Sequence, residues 1–393
     1  VSIFSLSLFF YLAGQLVSGI VMFEIMLGVP KMAALIITSV VLLIYVVLGG
    51  AHADILTDGV QGFIMVGVGV LVAVLFCLGY GIEGGFDGMI SALGSQDENL
   101  VGWLNVTDVL YHSWWAVFAV FLAHVPLGML PHIGNKLWAL KEPTQRMQFI
   151  RLAFVFALIL AMLGFGGIMA RVILGEGIDS NQALALLFID LFPSWFAALL
   201  GVGILAAVMS TADGLVVSSS QIVANDLYRL SFVPRYRKDL SEEEIERRSL
   251  NISRISTVVI MILCTLLAWQ TLDMNVTILV WIGVGCMMAA FAGPLILGSV
   301  WSGVTKAGAF AGLLTGGGVY IITYLGVINP EWFGPGSLKD IALWLQRESP
   351  NPYSCAAMGE IASIAVTVVV SKLTAPYPKE HIDALFGKSV PTD

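Results

Sequence analysis

Long apolar runs separated by short polar stretches organise this chain. Runs of about 20 apolar residues, the length a helix needs to cross a bilayer, fall at Ser2–Met26, Met32–Gly50, Leu56–Tyr80, Val109–Met129, Phe149–Leu174, Ser194–Ala224, Ile252–Gln270, Val276–Val300, Ala307–Val327 and Cys355–Leu373. They predict ten membrane-crossing helices, with a shorter segment at Asn181–Phe192 ahead of the sixth. The sixth run is longer than a bilayer requires, which predicts a tilt or an extension beyond the membrane.

Composition agrees with the pattern. Of 393 residues, 58% are hydrophobic and only 12% charged, where soluble proteins carry about 25% charged residues. The mean hydropathy is +0.90. The fold class expected is all-α and polytopic, a single domain over residues 1–393 embedded in a lipid bilayer as a multi-pass protein of the cell membrane. A net charge of −8 without a basic tract gives no reason to expect nucleic acid as a partner. Cys77, Cys264, Cys286 and Cys355 are dispersed, a spacing that predicts neither a metal site nor a disulfide framework. No nucleophile motif and no His/Asp/Glu metal spacing is found, so an enzyme is not expected.

Orientation follows from Lys and Arg. All of them except Lys31, Arg171, Lys339 and Arg347 fall on one side of the ten-span arrangement, and that side is cytoplasmic by the positive-inside rule. The loop 225–251 and the tail 374–393 are then cytoplasmic. Glu and Arg spaced within Ser241–Arg248 predict a short surface helix with i,i+4 pairs. The chain opens on Val1 and an apolar run, with no charged leader and no cleavage site, so an N-terminal truncation is expected.

The sixth run carries the chemistry. Ala207, Ser210 and Thr211 stand at i, i+3 and i+4, which puts one carbonyl and two hydroxyls on one helix face. That is an all-oxygen half-shell for a small, hard monovalent cation, the other half coming from another helix. Asp213 adds a carboxylate at membrane depth, where such groups mark ion or proton paths. The competing reading is a packing helix. Gly201, Gly203, Ala206, Ala212 and Gly214 let helices approach closely, and membrane hydroxyls often bond back to their own carbonyls. In the fourth run, Pro126 and Gly128 interrupt helical hydrogen bonding, and transporters place solutes at such breaks. His124, Val125, Pro126 and Gly128 are the candidate solute contacts. Trp114, Trp115 and Phe118 lie on the outer half of that run, as a gate or an interfacial belt.

The stretch Ala206–Ser220 followed by Asn225-Asp-Leu-Tyr228 resembles the signature helix of the sodium:solute symporter family. Val17–Glu24, with Gly19 and Glu24, is similar to an early helix of that family. Gly49-Gly50 followed by Thr57-Asp58-x-x-Gln61 resembles its Gly-Gly loop and Thr-Asp-x-x-Gln motif. Pro131-His132 with Lys136 resembles its Pro-His-x-x-x-Arg, with Lys in place of the usual Arg. The likeness runs from about residue 5 to 373. It implies an inverted five-plus-five-helix fold in which the ten runs correspond to the fourth to thirteenth helices, the first three being absent from this chain. It implies Na+ as coupling ion, bound by the Ala207 carbonyl and the Ser210 and Thr211 hydroxyls against a missing broken helix, so that this chain alone does not transport. It places Asp58 near the sodium exit path, and with Ser210 and Asp213 it suggests a second cation site. Two carboxylates about 5 Å apart repel by several kcal/mol in a partly dry site, so a cation or shared proton must join them. Pro131-His132, Leu266-Leu-Ala-Trp269 and the Trp281–Trp301 helix are most similar to the pantothenate and monocarboxylate permeases, which implies a small organic anion as substrate. A symporter-like sensor module and a proton-coupled symporter, with Asp58, Asp213 or His124 carrying the proton, are the alternatives.

Overall fold

A computed structural model describes residues 5–138, 140 and 142–386, and among them every regular element is a helix. Helix α1 spans Leu8–Leu27 and α2 Lys31–Leu78. A surface helix α3 (Gly85–Gln96) precedes the bent pair α4 (Trp114–Ala123) and α5 (Pro131–Trp138). Next come α6 (Pro143–Ala161), α7 (Gly164–Leu174), α8 (Ala183–Leu191) and α9 (Ser194–Gln221). The chain closes with α10 (Glu242–Gln270), α11 (Val276–Phe291), α12 (Lys306–Tyr324), α13 (Ser337–Glu348), α14 (Pro352–Leu373) and α15 (Lys379–Phe386). Among the described residues eight helical segments are long and apolar enough to cross a membrane, the α4–α5 pair makes a ninth, and Lys31–Val47 is a shorter apolar segment.

Three elements depart from the sequence expectation. The backbone stays helical through residues 51–55 instead of forming a loop. It nevertheless turns back there. The Tyr45 hydroxyl contacts the Thr57 hydroxyl, and in a straight helix twelve residues would separate them by about 18 Å. The surface helix expected at 241–248 is the first part of α10, which runs unbroken to Gln270. Ser241 caps it, accepting from Glu244 N at 3.3 Å, and the acidic first turn suits the positive end of the helix. The third departure is α9, which continues through a π-helical segment, Ile222–Phe232, into a turn at Val233–Tyr236.

Lipid tails are as apolar as a protein core, so small residues rather than hydrophobicity bring these helices together. Along α12, Gly308, Gly312 and Gly316 face Ser371, Thr367 and Ser363 of α14 so closely that a Cβ on any of them would overlap its neighbour. Gly14 and Gly283 join α1 to α11, Gly19 joins α1 to Thr38, and Gly203 seats α9 on Ile64 and Val68 of α2. The principal buried cluster runs through α1, the first part of α2, α9, α10 and α11. Smaller clusters join Val68, Val72 and Leu75 of α2 to α7, α8 and the start of α9.

Candidate cation and solute site

The break between α4 and α5 follows from its residues. Pro126 has no N–H to donate and restricts the residue before it. The backbone changes to i→i−3 bonds, Leu127 N to His124 O at 3.1 Å and Met129 N to Pro126 O at 2.8 Å, and the two helices meet at 51°. His124, Val125 and Gly128 are exposed while Pro126 is buried. The His124 Nδ1–H donates to Val120 O at 2.6 Å, which leaves Nε2 as the outward acceptor. The ring packs 4.6 Å from Trp281 of α11 and stacks 5.9 Å from Tyr353 of α14.

On α9, Ala207, Ser210 and Thr211 are half-buried, whereas Ala206, Val208 and residues 212–216 are buried. The three share one half-buried strip of α9; Leu205 and Met209 are half-buried on another side and Val202 is exposed. Thr211 donates its hydroxyl to Ala207 O at 3.1 Å, the local back-bond weighed above. This bond uses the hydroxyl hydrogen and leaves oxygen lone pairs facing outward. Ser210 makes no hydrogen bond among the described residues. The side chain of Tyr11 of α1 lies beside that of Thr211, and its ring meets His132 of α5 edge-on at 5.7 Å. Thus α1, α5 and α9 converge on Thr211.

The same α9 face continues inward. Ser218 lies two turns beyond Thr211 and Gln221 three turns beyond Ser210, and both line a cavity of about 640 Å³ with Met129, Asn135, Asn225 and Phe291. Asn135 Nδ2 donates to Gln221 Oε1 at 2.9 Å across it. None of the lining residues is Lys or Arg.

Asp213 is fully buried, and its Oδ1 accepts from Gly214 N at 2.7 Å. It follows Ser210 by about one turn. Helices α2 and α9 are antiparallel, Val68 and Val72 clustering with Ala197 and Leu200 while Ile64 and Val68 meet Gly203, a register that, continued along both helices, brings residue 213 to about the depth of residue 58. The Asp58 Oδ2 is ion-paired with Lys136 Nζ of α5, and its buried Oδ1 has no hydrogen-bond partner among the described residues. An ammonium thus already meets the Asp58 charge, and a mobile cation there has to share or displace it. Lys fills the position of the usual Arg as a single point charge.

Of the aromatic residues expected on the outer half of the fourth run, Trp114 and Phe118 are exposed, but Trp115 turns inward and donates to Ser354 Oγ at 2.6 Å. Sequence reasoning passed over Tyr11, Tyr353, Asn135 and Gln221. A phenol within an apolar helix and amides near helix ends were the available signals.

Sequence and fold comparisons agree with one another. The family model for the sodium:solute symporter family matches residues 1–316. The sodium/pantothenate symporter of Haemophilus influenzae is 26% identical over 329 residues, 82% of this chain and 64% of that protein. The sodium/proline symporter of Staphylococcus aureus is 25% identical over 366 residues, 93% of this chain and 66% of that protein. The chain therefore spans about two thirds of the length of these curated relatives. A solved structure of a Na+-coupled sialic acid symporter, in a substrate-bound outward-open state, superposes with a TM-score of 0.67 at 18% identity, covering 95% of this chain and 74% of that one. With helices, a broken span and an oxygen-lined face of α9 in the matching fold, this chain belongs to the sodium:solute symporter family.

Proposed function

We propose that the protein is a sodium-coupled symporter that brings a small organic solute into the cell by alternating access, with sodium held at Ala207 O, Ser210 Oγ and Thr211 Oγ1. The observation that carries this reading is that those three half-buried residues share one face of α9, which continues to the cavity lined by Ser218 and Gln221. A hard cation favours oxygen ligands, and a half-shell is completed by a second helix brought against it. The solute sits at the α4–α5 break, among His124, Val125, Pro126 and Gly128, and leaves through the cavity bounded by Asn135 and Gln221. Sodium drives this cycle only by binding one conformation better than the other.

The solute class favoured is a small organic anion such as pantothenate or a monocarboxylate. The pantothenate symporters among the relatives support it. The cavity supplies carboxamides for hydrogen bonds, the carboxylate of Asp226 and no cationic side chain, so an anionic solute there needs co-bound sodium to balance its charge. We read residues 1–393 as one transport domain, with the loop 225–251, the tail 374–393 and the C-terminus in the cytoplasm. Asp58, Ser210 and Asp213 form a second cation position in which Lys136 is a tethered competitor.

The test is uptake into vesicles by the full-length protein, driven by an imposed sodium gradient, with pantothenate, pyruvate, proline and sialic acid compared. Uptake that follows the sodium gradient and prefers an anion supports the reading; uptake driven equally by a proton gradient without sodium overturns it. Asp213→Asn is expected to change the sodium Hill coefficient, and an unchanged coefficient removes the second position.

A further inference from the structure

Helix α13 joins α12 to α14 at the ends of those helices away from Lys306 and Lys372. Its sequence is amphipathic. Leu338, Ile341, Ala342, Leu345 and Glu348 recur at helical spacing and share one face. Lys339, Asp340, Gln346 and Arg347 lie on the other, with Leu343 among them. The shared face changes character along its length. In the C-terminal half it is packed: Ala342 and Glu348 are buried and Leu345 is half-buried. In the N-terminal half it is open: Leu338 is 65% exposed and Ile341 53%. The helix therefore overhangs the bundle. The apolar underside that seats its far half continues past the edge, largely uncovered by the described residues.

The packed half fixes the level of the overhang. Ser349 Oγ, just past α13, donates to Tyr324 O at 3.1 Å, and Tyr324 is the last residue of α12. That helix has 19 residues. At 1.5 Å each they span about 28 Å, close to the roughly 30 Å of a hydrocarbon core, so Tyr324 marks the core's edge. Glu348 accepts from Ser354 Oγ, in the first turn of α14, at 2.8 Å. Its other oxygen lies 3.0 Å from Nε2 of His112, just ahead of α4. Trp344 meets Trp115 of α4 edge-on at 5.5 Å. Three membrane helices thus hold the end of α13 where they leave the apolar layer.

We propose that α13 is a lipid-binding helix that lies along the bilayer surface, with Leu338, Ile341 and the neighbouring Trp332 seated between the phospholipid headgroups and the start of the acyl chains. An amphipathic helix at this level buries its apolar face in that layer. Continuity with the membrane-facing surface names the occupant. Phe310, Leu314, Ile321 and Leu325 are all exposed and fall on one stripe of α12, which ends beside the α13 junction. Val327 and Trp332 carry the exposed apolar surface on towards α13, and an indole suits the interfacial layer. The polar flank points the other way. Lys339 Nζ is 3.1 Å from Glu331 Oε1, while Asp340 and Arg347 are exposed. Helix α13 carries two basic and two acidic residues, so it has no excess positive charge with which to select anionic headgroups. Apolar contact holds it to phospholipid of any headgroup. Through Glu348 and Trp344, that seating also sets the level of the start of α4.

The test is spin-label accessibility in the full-length protein in phosphatidylcholine vesicles, with Cys77→Ser removing the exposed thiol of this chain. Nitroxides are attached one at a time through Leu338→Cys, Ile341→Cys, Asp340→Cys and Arg347→Cys. Collision with oxygen, which concentrates in lipid, is compared with collision with a water-soluble nickel chelate. The oxygen-to-nickel ratio at 338 and 341 should exceed that at 340 and 347 by about fivefold or more, the contrast between the two faces of an interfacial helix. Adding phosphatidylglycerol should leave the contrast unchanged. Water-like ratios at all four positions overturn the proposal. So does shielding of 338 and 341 from both reagents, which means that another protein segment or a second copy covers them. If the labelled variants do not fold, Trp332→Phe serves. Quenching of tryptophan fluorescence by phosphatidylcholine brominated near the headgroup end of its acyl chains should be weaker in this variant than in wild type, and equal quenching overturns the proposal. Neither readout involves sodium or solute, so the proposal stands or fails separately from the symporter reading.

Discussion

Helices α9 and α14 look alike as sequences and behave oppositely in the fold. Each sets hydroxyl residues among small ones in an apolar helix: Ser210, Thr211 and Ser218 on α9; Ser363, Thr367 and Ser371 on α14. On α14 the hydroxyl residues are buried against a glycine-lined α12, and two of them bind backbone of neighbouring segments. Ser363 Oγ accepts from Gly293 N at 3.0 Å, and Ser371 Oγ accepts from Thr305 N at 3.1 Å. On α9 the equivalent residues Ser210 and Thr211 stay half-buried, Thr211 bonded locally. The difference lies in the partner. Glycines let α12 come close enough to use the hydroxyls of α14 as packing glue, while on α9 it is the side chain of Tyr11 from α1 that approaches Thr211. Hydroxyls of one kind thus serve packing in one helix and are the proposed sodium ligands in the other.

The comparison breaks first at the α12–α14 contact. Gly312→Leu places a side chain where Thr367 Oγ1 and Ser363 O already lie, and overpacking of this kind is expected to cost about 3 kcal/mol or more. Thermal melting of the full-length protein in detergent measures it; an unchanged midpoint would mean the two helices are not tightly apposed. Next in size is a crossed pair. Ser363→Ala strands the Gly293 N–H and should cost about 1–3 kcal/mol of stability while leaving the sodium concentration at half-maximal uptake unchanged. Ser210→Ala should do the reverse, raising that concentration about tenfold or more by loss of one ligand at little cost in stability. If both variants shift the same quantity, the division between packing and ligation is wrong. The smallest effect is expected at Glu360 of α14, which is 1% exposed with Oε1 lacking any hydrogen-bond partner among the described residues. With no hydrogen bond at that oxygen to lose, the isosteric Glu360→Gln should leave the melting midpoint within a degree or two or raise it slightly. A fall of many degrees would reveal a charged partner.

Much of the fold is legible in the sequence because each signal is local. The long apolar runs became helices, and the break at Pro126 lies where a missing N–H requires it. The i, i+3, i+4 spacing of Ala207, Ser210 and Thr211 placed their oxygens on one face before any partner was known. Less legible were the ends. The turn-back of α2 between Tyr45 and Thr57 retains helical backbone where polar residues suggested a loop. Helix α10 merges a charged amphipathic stretch with a membrane run because nothing between Arg248 and Ile252 stops it. Helix α13, between the last two apolar runs, was not expected at all.

What the sequence by itself determined about this protein is therefore its class, its membrane-crossing segments and the candidate ligands on α9, all set by hydropathy and helical periodicity. Only the tertiary structure decided that Lys136 answers Asp58, that Tyr11 reaches Thr211, that Trp115 turns inward and that His112 meets Glu348. The reason is physical. In a bilayer the lipid-facing and protein-facing sides of a helix are equally apolar, so the pattern that would tell them apart in water is erased, and which polar groups meet is settled by the close approach of helix backbones.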